Sequence, residues 1–294
     1  MDFLNLFNFA LLFATFRVAT PLIFASMGGL VSERAGVINI ALEGFMLVGA
    51  FSSAVAALHL HSPWIGLLFG MFCAGILAAL YALFVIQFKA NQIVAGMAIN
   101  LIASGIPPFV GNLLYHLTGN TPNLPVEGRF TFEPLFLAWV LVFGVALWYS
   151  KISSGLWVRF AGEIPEALEA TGVSARKVRW SAVIASGALA GAGGASLSLY
   201  LSSSFSREMT AGRGFIALAA LIFGRWKPLP TAAVCLFFGF ADAIQIRLQS
   251  LELAGTKIPV QFIQILPYLV TILVLAGFVA KSHPPKSLGQ NLEH

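Results

Sequence analysis

Residues 64–88 read WIGLLFGMFCAGILAALYALFVIQF, a run without a single Asp, Glu, Lys or Arg. About 20 apolar residues cross the roughly 30 Å of hydrocarbon in a bilayer, so this run predicts a membrane-spanning helix. Working outward, the same reading marks further spans at residues 9–30, 38–58, 93–115, 134–149, 181–203, 229–248 and 262–280. A shorter apolar run ends at Gly224 and would rise only about 16 Å as a helix, half a bilayer. Asn100, Pro107, Pro108 and Asn112 interrupt the 93–115 run. Broken or short helices are tolerated where protein or a water-filled cavity satisfies the backbone, so both segments are candidate pathway elements. The expected fold class is all-α: a polytopic membrane protein with about nine transmembrane helices, some of them short or broken.

Composition supports a lipid solvent. Hydrophobic residues make up 58% of the 294, and charged residues only 10%, against roughly 25% charged in a soluble domain. The formal charge of +5 comes from basic residues scattered between apolar runs, not from a patch with interleaved aromatics, which argues against nucleic acid. Their placement gives orientation instead. With the 151–180 loop cytoplasmic, the inner side holds Arg34, Lys89, Lys151, Arg159, Arg176, Lys177, Arg179, Arg225, Lys227, Lys281 and Lys286. The outer side holds Arg129, Arg207, Arg213, Arg247 and Lys257, and Arg17 lies within a span. The N-terminus is then outside and the C-terminus cytoplasmic. Asp2 and the lack of a basic leading segment argue for a retained first span. Residues 1–291 are expected to form one transmembrane domain, and 292–294 resemble an expression-tag remnant.

The 151–180 loop carries its own helix signals. Pro165 suits a first helical position, Glu166 and Glu169 sit near the positive end of the helix dipole, and Gly172 supplies a stop. Ser174 can then cap a second helix whose Arg176, Lys177 and Arg179 would hold the membrane surface. A helix this short is marginal in water. It either docks into a groove of a partner protein or lies on the lipid headgroups, and the residues alone leave both open.

Polar residues inside spans are functional candidates by default, because burying them in lipid is costly. Asn39, Glu43, Asn100, Asn112, Asp242 and Gln245 form that set, as pathway lining or as inter-helix bonds that fix the bundle. Glu43 faces the pathway or a basic partner such as Arg34 or Arg17. Phe45 and Phe215 adjoin the polar and glycine motifs and could stack on a passing base. Gly187, Gly191, Gly193 and Gly194 permit close helix approach. Cys73 and Cys235 read as small core residues, and His59 and His61 as solvated residues flanking an external turn. No metal cluster, nucleophile–base pair or phosphate loop is apparent, and Gly212-Arg213-Gly214 lacks the strand and acidic residue of a dinucleotide site.

Several stretches carry a family resemblance: RVATPL at 17–22, GGLVSERAGVINIALEG at 28–44, NQIVAG at 91–96, the 162–173 loop ending in ATGV, SGALAG at 186–191 and GRGFIALAA at 212–220. Together they resemble nucleoside-type permeases of ABC importers, within the branch that includes ribose and branched-chain amino acid permeases. The chain departs from the family pattern at Ile164 and Glu166. The resemblance implies ATP-driven alternating access in a bacterial plasma membrane. The partners it implies are a second related permease, a separate ATPase that uses ATP and Mg, and an extracytoplasmic substrate-binding lipoprotein. No cofactor is expected on this chain. Glu163, Pro165, Ala167, Glu169, Ala170, Thr171 and Gly172 would then couple to the ATPase. Rival readings are a permease for a sugar, purine base or riboflavin, and an ion-coupled carrier using Glu43 and Asp242.

Overall fold

A computed structural model describes residues 9–117, 119–248, 252–253, 256–257 and 283–290. In chain order the helices are α1 (Phe9–Arg34), α2 (Leu42–Leu60), α3 (Pro63–Ala82), α4 (Gln92–Tyr115), α5 (Glu133–Lys151), α6 (Ser153–Glu163), α7 (Pro165–Ala170), α8 (Ala175–Ser196), α9 (Arg213–Phe223) and α10 (Pro228–Leu248). Helices α3 and α8 each run on into a π-helical turn, at Leu83–Gln87 and Leu197–Leu201. Residues Glu252 and Leu253 pair antiparallel with Lys257 and Thr256, a ladder too short to alter the all-α class.

Among the described residues seven helices are long and apolar enough to cross a membrane, against about nine expected along the whole chain. The run ending at Gly224 is α9, a helix of 11 residues and so about half a bilayer long. The expected span at 262–280 lies outside the described residues, as do 292–294. One correction concerns α4, which continues through Pro107 and Pro108 as one 24-residue helix. Its surroundings are apolar, and a helix that satisfies every remaining backbone group is favoured there over a break that would strand more of them.

Burial separates centre from rim. In α2 and α8, 78% of the spanning window is buried, against 28% in α4 and α5. Leu101, Phe109 and Phe136 on the outer helices are largely exposed, as residues bathed in lipid tails should be. The two central helices touch backbone to backbone. A Cβ on Gly194 would fall on the carbonyl oxygen of Met46, and one on Gly49 would meet the backbone of Gly191. Small residues supply this close approach where lipid provides no hydrophobic drive for helices to associate.

Candidate functional site

The short connector between α1 and α2 turns back into the bundle and is held on every side. The Ile38 amide donates to Gln92 Oε1 at 2.8 Å, and the Tyr81 hydroxyl donates to the Ile38 carbonyl at 2.6 Å. Asn100 on α4 clamps it from two directions: its Nδ2 donates to the Ile40 carbonyl at 3.0 Å and its Oδ1 accepts from the Gly44 amide at 2.9 Å. Asn39 is fully buried and donates from Nδ2 to Ser186 Oγ at 2.7 Å, while its Oδ1 has no partner among the described residues. Phe45 packs edge-on to Tyr81 with ring centroids 6.2 Å apart.

Glu43, in the first turn of α2, points at the start of α9. Its Oε1 accepts from the Gly212 amide at 2.9 Å and its Oε2 from the Gly214 amide at 2.7 Å. The first amides of any helix lack intrahelical partners and sit at the positive end of its dipole. One carboxylate therefore closes the open end of this half-length helix. Glycine is needed twice: Gly212 adopts φ +81°, and a Cβ on Gly214 would collide with the backbone of Glu43. The Gly-Arg-Gly motif is thus a helix start shaped to receive a side chain from another helix. Glu43 does not pair with Arg34 or Arg17, the two partners its sequence position suggested.

Arg213 lies beside this joint, donating from Nη1 to the Met209 carbonyl at 3.1 Å, and Asp242 on α10 feels its charge. Phe215, one turn into α9, is 47% exposed. Gln245 is half-buried on α10, and Asn112 is exposed near the end of α4. The structure thus brings Asn39, Glu43, Phe45 and Asn100 to one place, sets Phe215 and Asp242 next to it, and leaves Asn112 apart.

The 151–180 loop forms α6, α7 and the start of α8. Pro165 occupies the first turn of α7, Gly172 follows with φ +82°, and Ser174 caps α8 through the Lys177 amide. Thr171 folds back to donate to the Leu168 carbonyl at 2.6 Å. Pro165 and Leu168 are buried beneath α7, whereas Glu166, Ala167, Glu169, Ala170, Thr171 and Gly172 are exposed. The surface role expected of Arg179 is corrected, because α8 runs straight into the bundle and buries it to 3% exposure. Arg179 donates to the carbonyls of Ala161 and Gln290 and to Ser287 Oγ. Ser287 in turn donates from its amide and hydroxyl to the Gly162 carbonyl, so residues 287–290 strap the end of α6 to α8.

Sequence reasoning missed the link between these regions. Arg34 at the end of α1 lies 3.6 Å from the Glu163 carboxylate and donates from Nε to the Trp226 carbonyl at 2.9 Å. Trp226 Nε1 donates to the buried Glu33 carboxylate at 2.6 Å. Trp226 follows the C-terminal end of α9, so one helix end joins the base of α7 to α9. The apolar neighbourhood of Glu33 was the available signal, since a carboxylate among buried residues requires a donor.

Residues 11–275 match the family described as branched-chain amino acid transport system / permease component. The chain belongs to that family. The permease is 37% identical to the nucleoside ABC transporter permease protein NupC of Lactococcus lactis, over 93% of both chains. It is 35% identical to the guanosine ABC transporter permease protein NupQ of Bacillus subtilis, over 94% of both. A Haloferax volcanii protein provisionally named as a glucose ABC transporter permease, TsgC13, is 34% identical over 94% of this chain and 93% of its own. Membership makes the permease a multi-pass membrane transport subunit rather than an enzyme.

Proposed function

We propose that the permease passes nucleosides across the plasma membrane as part of an ABC importer, by alternating access driven from a separate ATPase. The observation that carries this reading is the unbroken line of bonded groups from Glu163 through Arg34 and Trp226, along α9, to the carboxylate of Glu43. A displacement of α7 would pass to Glu163, the last residue of α6 and two before Pro165, and through Arg34 to α9, which is too short to span. Its far end is fastened by two charge-assisted bonds that form or break together, so the joint suits a two-position element. Contacts of this kind can carry coupling between distant sites.

The exposed face of α7 is the proposed seat for the ATPase, which holds the ATP and Mg; this chain needs no cofactor. A second related permease and an extracytoplasmic substrate-binding lipoprotein complete the importer. The N-terminus is assigned to the outside and the C-terminus to the cytoplasm. Supporting that, Arg176 at the start of α8 bonds Gln87 at the end of α3, and Arg34 meets Glu163, so basic residues gather on the side where α7 is exposed. Nucleoside as cargo is supported by the names of NupC and NupQ. The ring of Phe215, 47% exposed and two residues after Arg213, offers a stacking surface to such a solute. TsgC13 favours a sugar as the second reading.

The test is uptake into proteoliposomes holding the permease with its genomic neighbours: second permease, ATPase and binding lipoprotein. ATP-dependent accumulation of labelled guanosine or adenosine in preference to glucose is expected. Preferred glucose uptake would replace the cargo. Uptake by this chain alone under a proton or sodium gradient would overturn the importer reading.

A further inference from the structure

A cavity of about 420 Å³ opens at the end of the bundle opposite α7, between α1, the loop before α5 and the π-helical end of α8. Its polar wall is Arg17, Arg129 and Tyr200, and its rim is Phe13, Val126 and Phe132. The π-helical turn at Leu197–Leu201 loosens the usual backbone ladder and leaves carbonyls for outside donors, as such turns do. Phe130 takes the Leu199 carbonyl at 2.9 Å, and Arg17 donates from Nη2 to the Tyr200 carbonyl at 3.1 Å. The Arg17 guanidinium also lies 5.2 Å from the centre of the Tyr200 ring. Arg129 is held by the Leu124 carbonyl.

The cavity has donors to spare. Neither arginine has a carboxylate within ion-pair distance among the described residues. Tyr200 is only 5% exposed, yet its hydroxyl has no partner among them. A buried hydroxyl without a partner is costly and calls for an acceptor. Glu133 is close enough to act on Tyr200 electrostatically, but its Oε2 already accepts from the Thr131 and Phe132 amides. Two cationic side chains therefore face this space, beside the Tyr200 ring.

We infer that this cavity binds the phosphodiester headgroup of an anionic phospholipid, with Arg17 and Arg129 on the phosphate oxygens. Guanidinium groups match phosphate geometry. The rim decides between a lipid and a water-borne anion. Phe13, Phe132 and Val126 are 40%, 58% and 84% exposed, and they continue into the exposed faces of α1 and α5 at Phe9, Leu12, Phe136 and Val140. An apolar rim that merges with lipid-facing helix surfaces suits acyl chains and disfavours a free ion or an acidic segment of a soluble protein.

Native mass spectrometry of the full chain, released from nanodiscs of mixed phosphatidylglycerol and phosphatidylcholine, tests this. Wild type should retain phosphatidylglycerol selectively. Arg17→Gln with Arg129→Gln should lower that occupancy about tenfold. Arg17→Lys with Arg129→Lys should recover part of it, separating lost charge from lost folding. Unchanged occupancy in the Gln pair, or equal retention of phosphatidylcholine, would overturn the inference. So would displacement by millimolar inorganic phosphate in lipid-free detergent, which would make the site one for free phosphate. Loss of binding-lipoprotein capture in the Gln pair with lipid retention intact would assign the surface to that protein.

Discussion

Both ends of α9 are fastened by a carboxylate, and the two fastenings differ in kind. At its N-terminal end Glu43 reaches two backbone amides, which glycine brings within range and which no other side chain could replace. At its C-terminal end Glu33 holds a tryptophan side chain and Arg34 a carbonyl, with Glu163 pairing from outside at a site where its side chain is 39% exposed. The first joint is a part-buried pair of bonds from one carboxylate to two amides that the helix itself leaves without partners. The second is graded, because water can substitute for the exposed pair. In the importer proposed above, that order would set a compliant contact on the ATPase side and a tighter one at the Glu43 joint.

The largest effect is expected from Gly214→Val. Its side chain would collide with the Glu43 backbone, costing about 3 kcal/mol or more in overpacking and a lost cap. Detergent-solubilised protein should show a clearly lower unfolding temperature and no uptake; a wild-type melting curve would mean that the approach of α2 to α9 is looser than described. Next is Ala170→Arg on the exposed face of α7. Transport should fall to background while the unfolding temperature holds, since nothing packs over that residue. Full uptake would remove α7 from the coupling path. The C-terminal joint gives Arg34→Gln, which loses the ion pair, about 0.5 kcal/mol, and the bond to the Trp226 carbonyl, about 1–3 kcal/mol. ATP hydrolysed per solute carried should rise, and an unchanged ratio would show that Arg34 transmits nothing.

How legible was this in the sequence? The spans were, because apolar runs such as 64–88 leave the backbone no alternative to a helix in lipid. The α7 signals Pro165, Gly172 and Ser174 were legible for a similar reason: each acts on its own backbone, so the information is local. Arg179 was misplaced because basic residues at a span boundary ordinarily snorkel to the surface. The Ala161 carbonyl and the strap around Ser287, more than a hundred positions away, together make its burial tolerable. The partners of Glu43 were invisible for another reason. They are main-chain amides of residues 212 and 214, and composition names side chains, whereas a peptide N–H looks the same at every position. What the sequence could show was the glycine spacing that lets those amides be reached.

That distinction makes the smallest prediction informative. Asn100 and Asn112 look alike as intramembrane amides, but the first bonds the end of the α1–α2 connector and the first turn of α2, and the second is exposed. Asn100→Ala leaves the Gly44 amide and the Ile40 carbonyl unpaired inside the bundle, a loss of about 1–3 kcal/mol. Asn112→Ala removes a side chain that bonds to nothing described, so its effect should stay within about 0.5 kcal/mol, with uptake unchanged. If Asn112→Ala instead slows uptake while Asn100→Ala is silent, solute passes along the outer surface of α4, and the joint at Glu43 is scaffold rather than gate.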